Sequence, residues 1–150
     1  MRIGDVLKSS KVENKTKKTE TTKNSSIIKS LFSAEMLQQE NEADKYKQEI
    51  DELRKEIEIV GDSIENEPTI PNFKLFRNIL SRLAKRINSE AYRLEKCGGT
   101  PQNPRYYEII TTINFEADAL FNLIIREQKN NMAITAKVIG IKGLVVDLIS

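Results

Sequence analysis

The side chains able to do chemistry in this 150-residue chain are acids in close groups, one cysteine and two adjacent tyrosines, with no histidine to join them. Glu116 with Asp118, and Glu49 with Asp51 and Glu52, are two such groups. Such carboxylates serve general acid–base chemistry or hold a divalent cation. In helical bundles, however, metal sites need inward-facing acids, usually in Glu-x-x-His pairs. Here the acids alternate with apolar seams and read as solvated helix faces. Without histidine, Ser-His-Asp and Cys-His nucleophilic sets and the usual zinc sets are excluded. Cys97 ends a helix, where the dipole disfavours a thiolate, so it reads as structural. As the single cysteine it forms no disulfide within the chain, which fits a reducing compartment. Gly98-Gly99 lacks the spacing and the following Lys of a phosphate loop. Glu90 falls on an apolar seam position and is expected to reach water or a basic neighbour. Tyr106 and Tyr107 open a helix, one packed on the seam and the other at its boundary. We expect no enzyme, no cofactor and no metal.

The elements that carry these residues are helices. Ile110, Ile113, Ala117, Leu120 and Ile124 recur at steps of three and four, as do Ile134, Val138, Ile141, Val145 and Leu148. Each set is one apolar helix face. Glu127 and Asn131 break the seam between them, which predicts a turn at Lys129-Asn130-Asn131. One continuous helix, giving a three-helix assembly, is the alternative. Asn103 as cap and Pro104 at the first helical position predict the start of the third helix. Upstream, Phe32, Met36, Ala43, Tyr46, Ile50, Leu53, Ile57, Val60 and Ile64 share a heptad seam, with Gln39 off type. From Tyr46 to Glu58 that stripe is as narrow as a coiled-coil seam, and we read it as an outer bundle helix. Its start is expected between Ile27 and Ser33, with Ser33 a plausible cap, and fraying is expected at Gly61. Pro68 and Pro71 break the chain before a second helix seamed by Phe73, Phe76, Leu80, Leu83, Ile87 and Leu94. Cys97-Gly98-Gly99-Thr100-Pro101 is its stop. The expected helices are about 30–63, 70–97, 103–129 and 132–149.

Hydrophobic content of 39% with charged content of 31% and no Trp suits a small helical protein. The Lys/Glu/Ile-rich character leans toward a thermophilic source. No apolar run is long enough to span a bilayer, which needs about 20 residues, and no signal peptide is indicated, so we expect a cytoplasmic chain without membrane contact. Residues 1–26 are polar, with seven Lys or Arg against three acids, and are expected to form a flexible basic tail ahead of a single bundle domain, 27–150. Ser33 to Asn66 carries eleven acids and four bases, whereas Pro68 to Cys97 carries seven bases and two acids. A short linker makes these two helices antiparallel neighbours. The basic face of Arg77, Arg82, Lys85, Arg86 and Arg93 is therefore expected to be neutralised by the acidic helix. A nucleic-acid face built from it and the tail is the second reading.

The ending Ile134 to Ser150, above all Ile141-Lys142-Gly143-Leu144 with Asp147-Leu148, resembles the C-terminal signature of the bacterial YaaR family. Ile113-Asn114 with Ala117-Asp118-Ala119-Leu120 resembles it as well, over about Phe73 to Ser150. The resemblance implies a small, soluble, all-helical bacterial protein. That family has no assigned function, so it implies no site residue.

We therefore expect an all-α chain, an up-down four-helix bundle with unequal helices and a flexible N-terminal tail. Its expected role is that of a non-catalytic adaptor or scaffold that binds a protein partner or itself. The final helix suggests where. At 100° per residue, Ile134, Val138, Ile141, Val145 and Leu148 share one side, flanked by Lys137 and Lys142. The opposite side should be charged on an outer helix. Instead it carries Ala136, Ile139, Gly140, Gly143 and Val146, with Asp147 the main polar exception. Ile139, Gly140, Gly143, Val146 and Asp147 are the candidate interaction surface. The competing explanation is that this helix is the most buried in its own bundle.

Overall fold

No Gly or Pro interrupts the chain from Glu13 to Val60, and nothing there stops a helix once begun. In the computed structural model, which describes residues 13–150 and their side chains from residue 27 on, the helix α1 accordingly spans Glu13–Asn66. It starts well before the Ile27–Ser33 window, and Ser33 lies inside it rather than at a cap. Residues 1–12 of the basic polar stretch lie outside the described residues. α2 spans Ile70–Lys96, α3 Tyr106–Ile124 and α4 Asn131–Ile149.

The chain divides into two units, Met1–Lys45 and Tyr46–Ser150. In the first, Ile27, Ile28, Leu31, Phe32, Met36 and Leu37 are all exposed along α1. The second contains the up-down bundle. Ion pairs between helices give its directions: Arg86 meets Glu49 and Arg82 meets Glu56 across α2 and α1, and Arg77 meets Asp118 beside the Phe73–Phe121 ring contact across α2 and α3. Lys137 meets Glu116 across α4 and α3, and Asn103, just ahead of α3, bonds the Asp147 and Leu148 carbonyls at the end of α4. In each pair the numbers rise on one helix as they fall on the other, so neighbours are antiparallel. α4 closes the ring against α1 through Lys142, which meets Glu58, Asp62 and Glu65.

The seams predicted from spacing form the core from Tyr46 onward, whereas Phe32 and Met36, which open the predicted first seam, are exposed and lie outside it. Ile57, Ile64, Phe76, Leu83, Leu120, Ile124, Ile134, Val138, Ile141 and Val145 are its most deeply buried large side chains. Each such side chain contributes about 1.5–3 kcal/mol when withdrawn from water.

The helix ends are set by specific bonds. The Thr69 hydroxyl accepts from the Asn72 N–H and caps α2, with Pro71 in its first turn. Asn72 Nδ2 donates to the carbonyls of Ser63 and Glu67, closing the end of α1. At the other end of α2, Gly98 takes φ 79° and the Gly99 N–H bonds the Leu94 carbonyl, as the Gly-Gly stop requires. Asn130 caps α4 by accepting from the Ala133 N–H, so the turn falls where the polar gap predicts it. That turn is anchored by Lys129 Nζ, which donates to the Pro68 carbonyl.

Three local expectations are corrected. α3 begins at Tyr106 and not at Pro104: Asn103 Oδ1 accepts from the Arg105 N–H in a turn, and its Nδ2 donates to the Asp147 and Leu148 carbonyls at the end of α4. The residue caps the neighbouring helix rather than its own. α3 stops at Ile124 instead of continuing to 129, because its apolar seam ends there. At Gly61 the helix does not fray. The residue is buried inside α1, where a Cβ would lie 2.5 Å from Lys142 Cε and 3.2 Å from Val138 Cγ1. The missing side chain is the space through which Lys142 passes.

Candidate functional site

The side chains that invite a chemical reading are mostly engaged in holding helices together. Lys142, only 13% exposed, bonds Asp62 at 2.7 Å and Glu65 at 3.3 Å, with Glu58 at 3.4 Å. Burial pushes its ammonium toward a lower pKa. The hydrogen bonds to Asp62 and Glu65 and the charges of Glu58 and Asp62 outweigh that effect, and the pKa is raised. The reciprocal bond from Lys142 holds Asp62 below the usual carboxylate range. Sequence reasoning missed this set. Glu58, Asp62 and Glu65 stand at i, i+4 and i+7, one helix face, with Gly61 among them, but nothing in the chain says which cation on another helix fills that face.

Glu90 is buried on its seam, as its position requires, and Arg93 meets it with two parallel bonds of 2.9 and 3.1 Å. The fork geometry satisfies both carboxylate oxygens. Nearby, the Arg86 guanidinium lies over the Tyr46 ring, 5.0 Å from its centroid. Burial, and then the charge of Glu90, push the Tyr46 hydroxyl pKa up against the opposing effect of Arg86. The acids singled out in the sequence divide. Glu116 pairs with Lys137 and Asp118 with Arg77, facing two different helices, while Asp51 pairs along its own helix with Arg54 and Lys55. They do not converge. Among the described residues, no group of three or more His, Cys, Asp or Glu side chains is placed to hold a metal ion. Tyr106 packs against the core and Tyr107 is exposed, and Cys97 is a free, exposed thiol. The basic helix is paired along its length: Arg77, Arg82, Arg86 and Arg93 each meet an acid.

The residues predicted as an interaction surface do come together. Ile139, Gly140, Gly143, Val146 and Asp147 are all exposed on one side of α4, opposite the core seam. Two further residues extend the surface. Met132, 84% exposed, and Ala136 precede Ile139 at the same spacing, so the apolar stripe runs through Met132, Ala136, Ile139, Gly143 and Val146. Met132 escaped notice because it sits in the first turn, beside the polar gap that drew attention as a loop. Ile139 is 57% and Val146 48% exposed. A Cβ at Gly140 or Gly143 would meet nothing within 4 Å. The other helices of the Tyr46–Ser150 unit leave this side of α4 uncovered.

A four-helix, up-down bundle whose last helix is apolar on two opposite sides defines the class: an all-α bundle with one apolar face of α4 left open. The chain belongs to the DUF327 family of proteins of unknown function, whose model matches residues 5–149. In fold it is similar to the uncharacterized protein BH1478 from Bacillus halodurans, whose crystal structure superposes with a TM-score of 0.61 at 18% identity, covering 71% of this chain and 89% of that one. No curated protein matches it. Among the described residues, no helix is long and apolar enough to cross a membrane.

Proposed function

We propose that this protein is a non-catalytic helical adaptor or scaffold, a YaaR-type member of its family, and that it works through the outward face of α4. The observation that carries this reading is the exposed stripe from Met132 to Val146. An outer helix of a bundle ordinarily turns a polar face to water, and exposed apolar surface of this kind marks contact with another macromolecule. The two glycines support it. Each lowers helix stability by about 0.5–1 kcal/mol relative to Ala, and no atom of the described fold occupies the space that they leave. The exposed apolar residues between Ile27 and Leu37 supply a second surface of the same chemistry. A nucleic-acid role is disfavoured by the pairing of the α2 arginines with acids, which leaves them poorly placed to neutralise phosphates.

The test is affinity purification from the native host with the wild-type chain and with Gly143→Arg in parallel. The expected result is a variant with unchanged helical circular dichroism that loses what co-purifies with the wild type. A folded variant that keeps every partner contradicts the reading. Retention of the wild type on nucleic acid at low salt, weakening steeply as salt rises, would favour the other class.

A further inference from the structure

The outward stripe of α4 advances from Met132 to Ala136, Ile139, Gly143 and Val146 by alternating steps of four and three, and Ser150 follows in phase. It is a second heptad seam, pointing away from the one that builds the core. Its side chains alternate in size along the helix: large at Met132, small at Ala136, large at Ile139, absent at Gly143, large at Val146, small at Ser150. We infer that this seam is the two-fold interface of a homodimer in which α4 lies antiparallel to α4 of a second copy, with Ile139 seated over the partner's Gly143. The inference rests on the interaction reading above and adds the occupant.

The size alternation selects the second copy and its direction. With Ile139 level with the partner's Gly143, the same antiparallel register brings Ala136 level with the partner's Val146 and Met132 level with the partner's Ser150. Every level then sets a large side chain against a small one, as a two-fold interface made of one patch requires. A parallel pairing sets each residue level with its own counterpart, crowding the large levels and leaving voids at the small ones, and both faults are destabilising. The open space at Gly140 and Gly143 lets the second backbone approach closely. Charge points the same way. No member of the stripe is ionised, Asp147 at its edge falls level with the partner's Thr135 rather than with a like charge, and the cations on its flanks are drawn inward, Lys137 to Glu116 and Lys142 to Glu58, Asp62 and Glu65. Shape therefore decides the occupant, and the stripe contains its own complement.

Two single-cysteine chains test this, Ala136→Cys and Val146→Cys, each in a Cys97→Ser background so that the exposed native thiol cannot compete. Each is checked for wild-type circular dichroism, equilibrated alone or mixed with the other, then oxidised. The mixture is expected to give a disulfide-linked species of twice the 17.2 kDa chain mass. Ala136→Cys alone should not, because two copies of that position lie ten helical rises apart, roughly 15 Å, beyond the reach of a disulfide. Linkage of Ala136→Cys to itself in place of the mixed species means a parallel pair and overturns the inference. A wild-type dimer by sedimentation that links at neither position also overturns it. A wild-type chain that sediments at 17.2 kDa at every concentration, while Gly143→Arg still strips its host partners, removes the homodimer and leaves the adaptor reading standing. If that monomer also keeps its partners on Gly143→Arg, both fall.

Discussion

Gly61 and Gly143 both sit inside long helices, and their surroundings are opposite. At Gly61 a methyl group would collide with the stem of Lys142 and press on Val138, so the fold itself requires the glycine. At Gly143, and at Gly140 beside it, a methyl group would meet no atom within 4 Å. Both places sacrifice helix propensity. Only the first regains it inside the chain, through packing and an ion-paired Lys142. The comparison separates a glycine that the fold requires from glycines that it does not, and it divides α4 into a packed side and an open side.

The largest effect should come from testing those two sides directly. Ile141→Ala removes a wholly buried side chain and is expected to destabilise the fold by about 2–5 kcal/mol. Ile139→Ala, two residues away on the outward side, should stay within about 0.5 kcal/mol. Urea unfolding at chain concentrations low enough to dissociate any assembly checks both. Equal losses would erase the distinction between the sides.

The glycines come next. Gly61→Leu forces extra volume against Lys142 and Val138 and is expected to lower stability by about 1–3 kcal/mol. Gly143→Ala should raise it by about 0.5–1 kcal/mol under the same dilute conditions, since the helix gains and nothing clashes. A destabilising Gly143→Ala would place that residue among those that serve the fold.

The smallest effect is expected at the ion set that Gly61 accommodates. Lys142→Met removes the bonds to Asp62 and Glu65, with only a small loss expected near neutral pH because Asp62, which makes the shorter bond, faces solvent. Its signature is in the pH dependence. Asp62 has a lowered pKa in the fold, so its contribution is full above the ordinary Asp value of about 3.9 and is lost as pH falls through the lowered one. Lys142 has a raised pKa, so its contribution is full below the ordinary Lys value of about 10.4 and is lost as pH rises through the raised one. Thermal unfolding of Lys142→Met should therefore decline less steeply than the wild type at both ends of the pH range. An unchanged acid limb would show that Lys142 does not hold Asp62.

Much of this was legible in the sequence, and the parts that were not share a physical cause. Seams such as Ile110-Ile113-Ala117-Leu120-Ile124 announce a helix and its buried side, because 3.6-residue periodicity is a local property. The stop at Gly98-Gly99 is local for the same reason. The start of α3 was misplaced because Asn103 has two uses, and its contact with the Asp147 and Leu148 carbonyls depends on a helix more than forty residues away. Gly61 looked like a weak point for as long as Lys142 had no known place. The outward stripe was legible as an anomaly of pattern on α4, while its openness depended on where the other three helices lie.

The most direct test of the central claim, that the outward side of α4 is a self-association surface the fold does not need, is sedimentation equilibrium of the wild type and Gly143→Arg over one concentration series, with helical content recorded on the same samples. The account predicts that both chains are equally helical, that the wild type associates toward twice 17.2 kDa, and that Gly143→Arg remains at the mass of one chain. Loss of helical structure in Gly143→Arg, or identical masses for the two chains throughout the series, would contradict it.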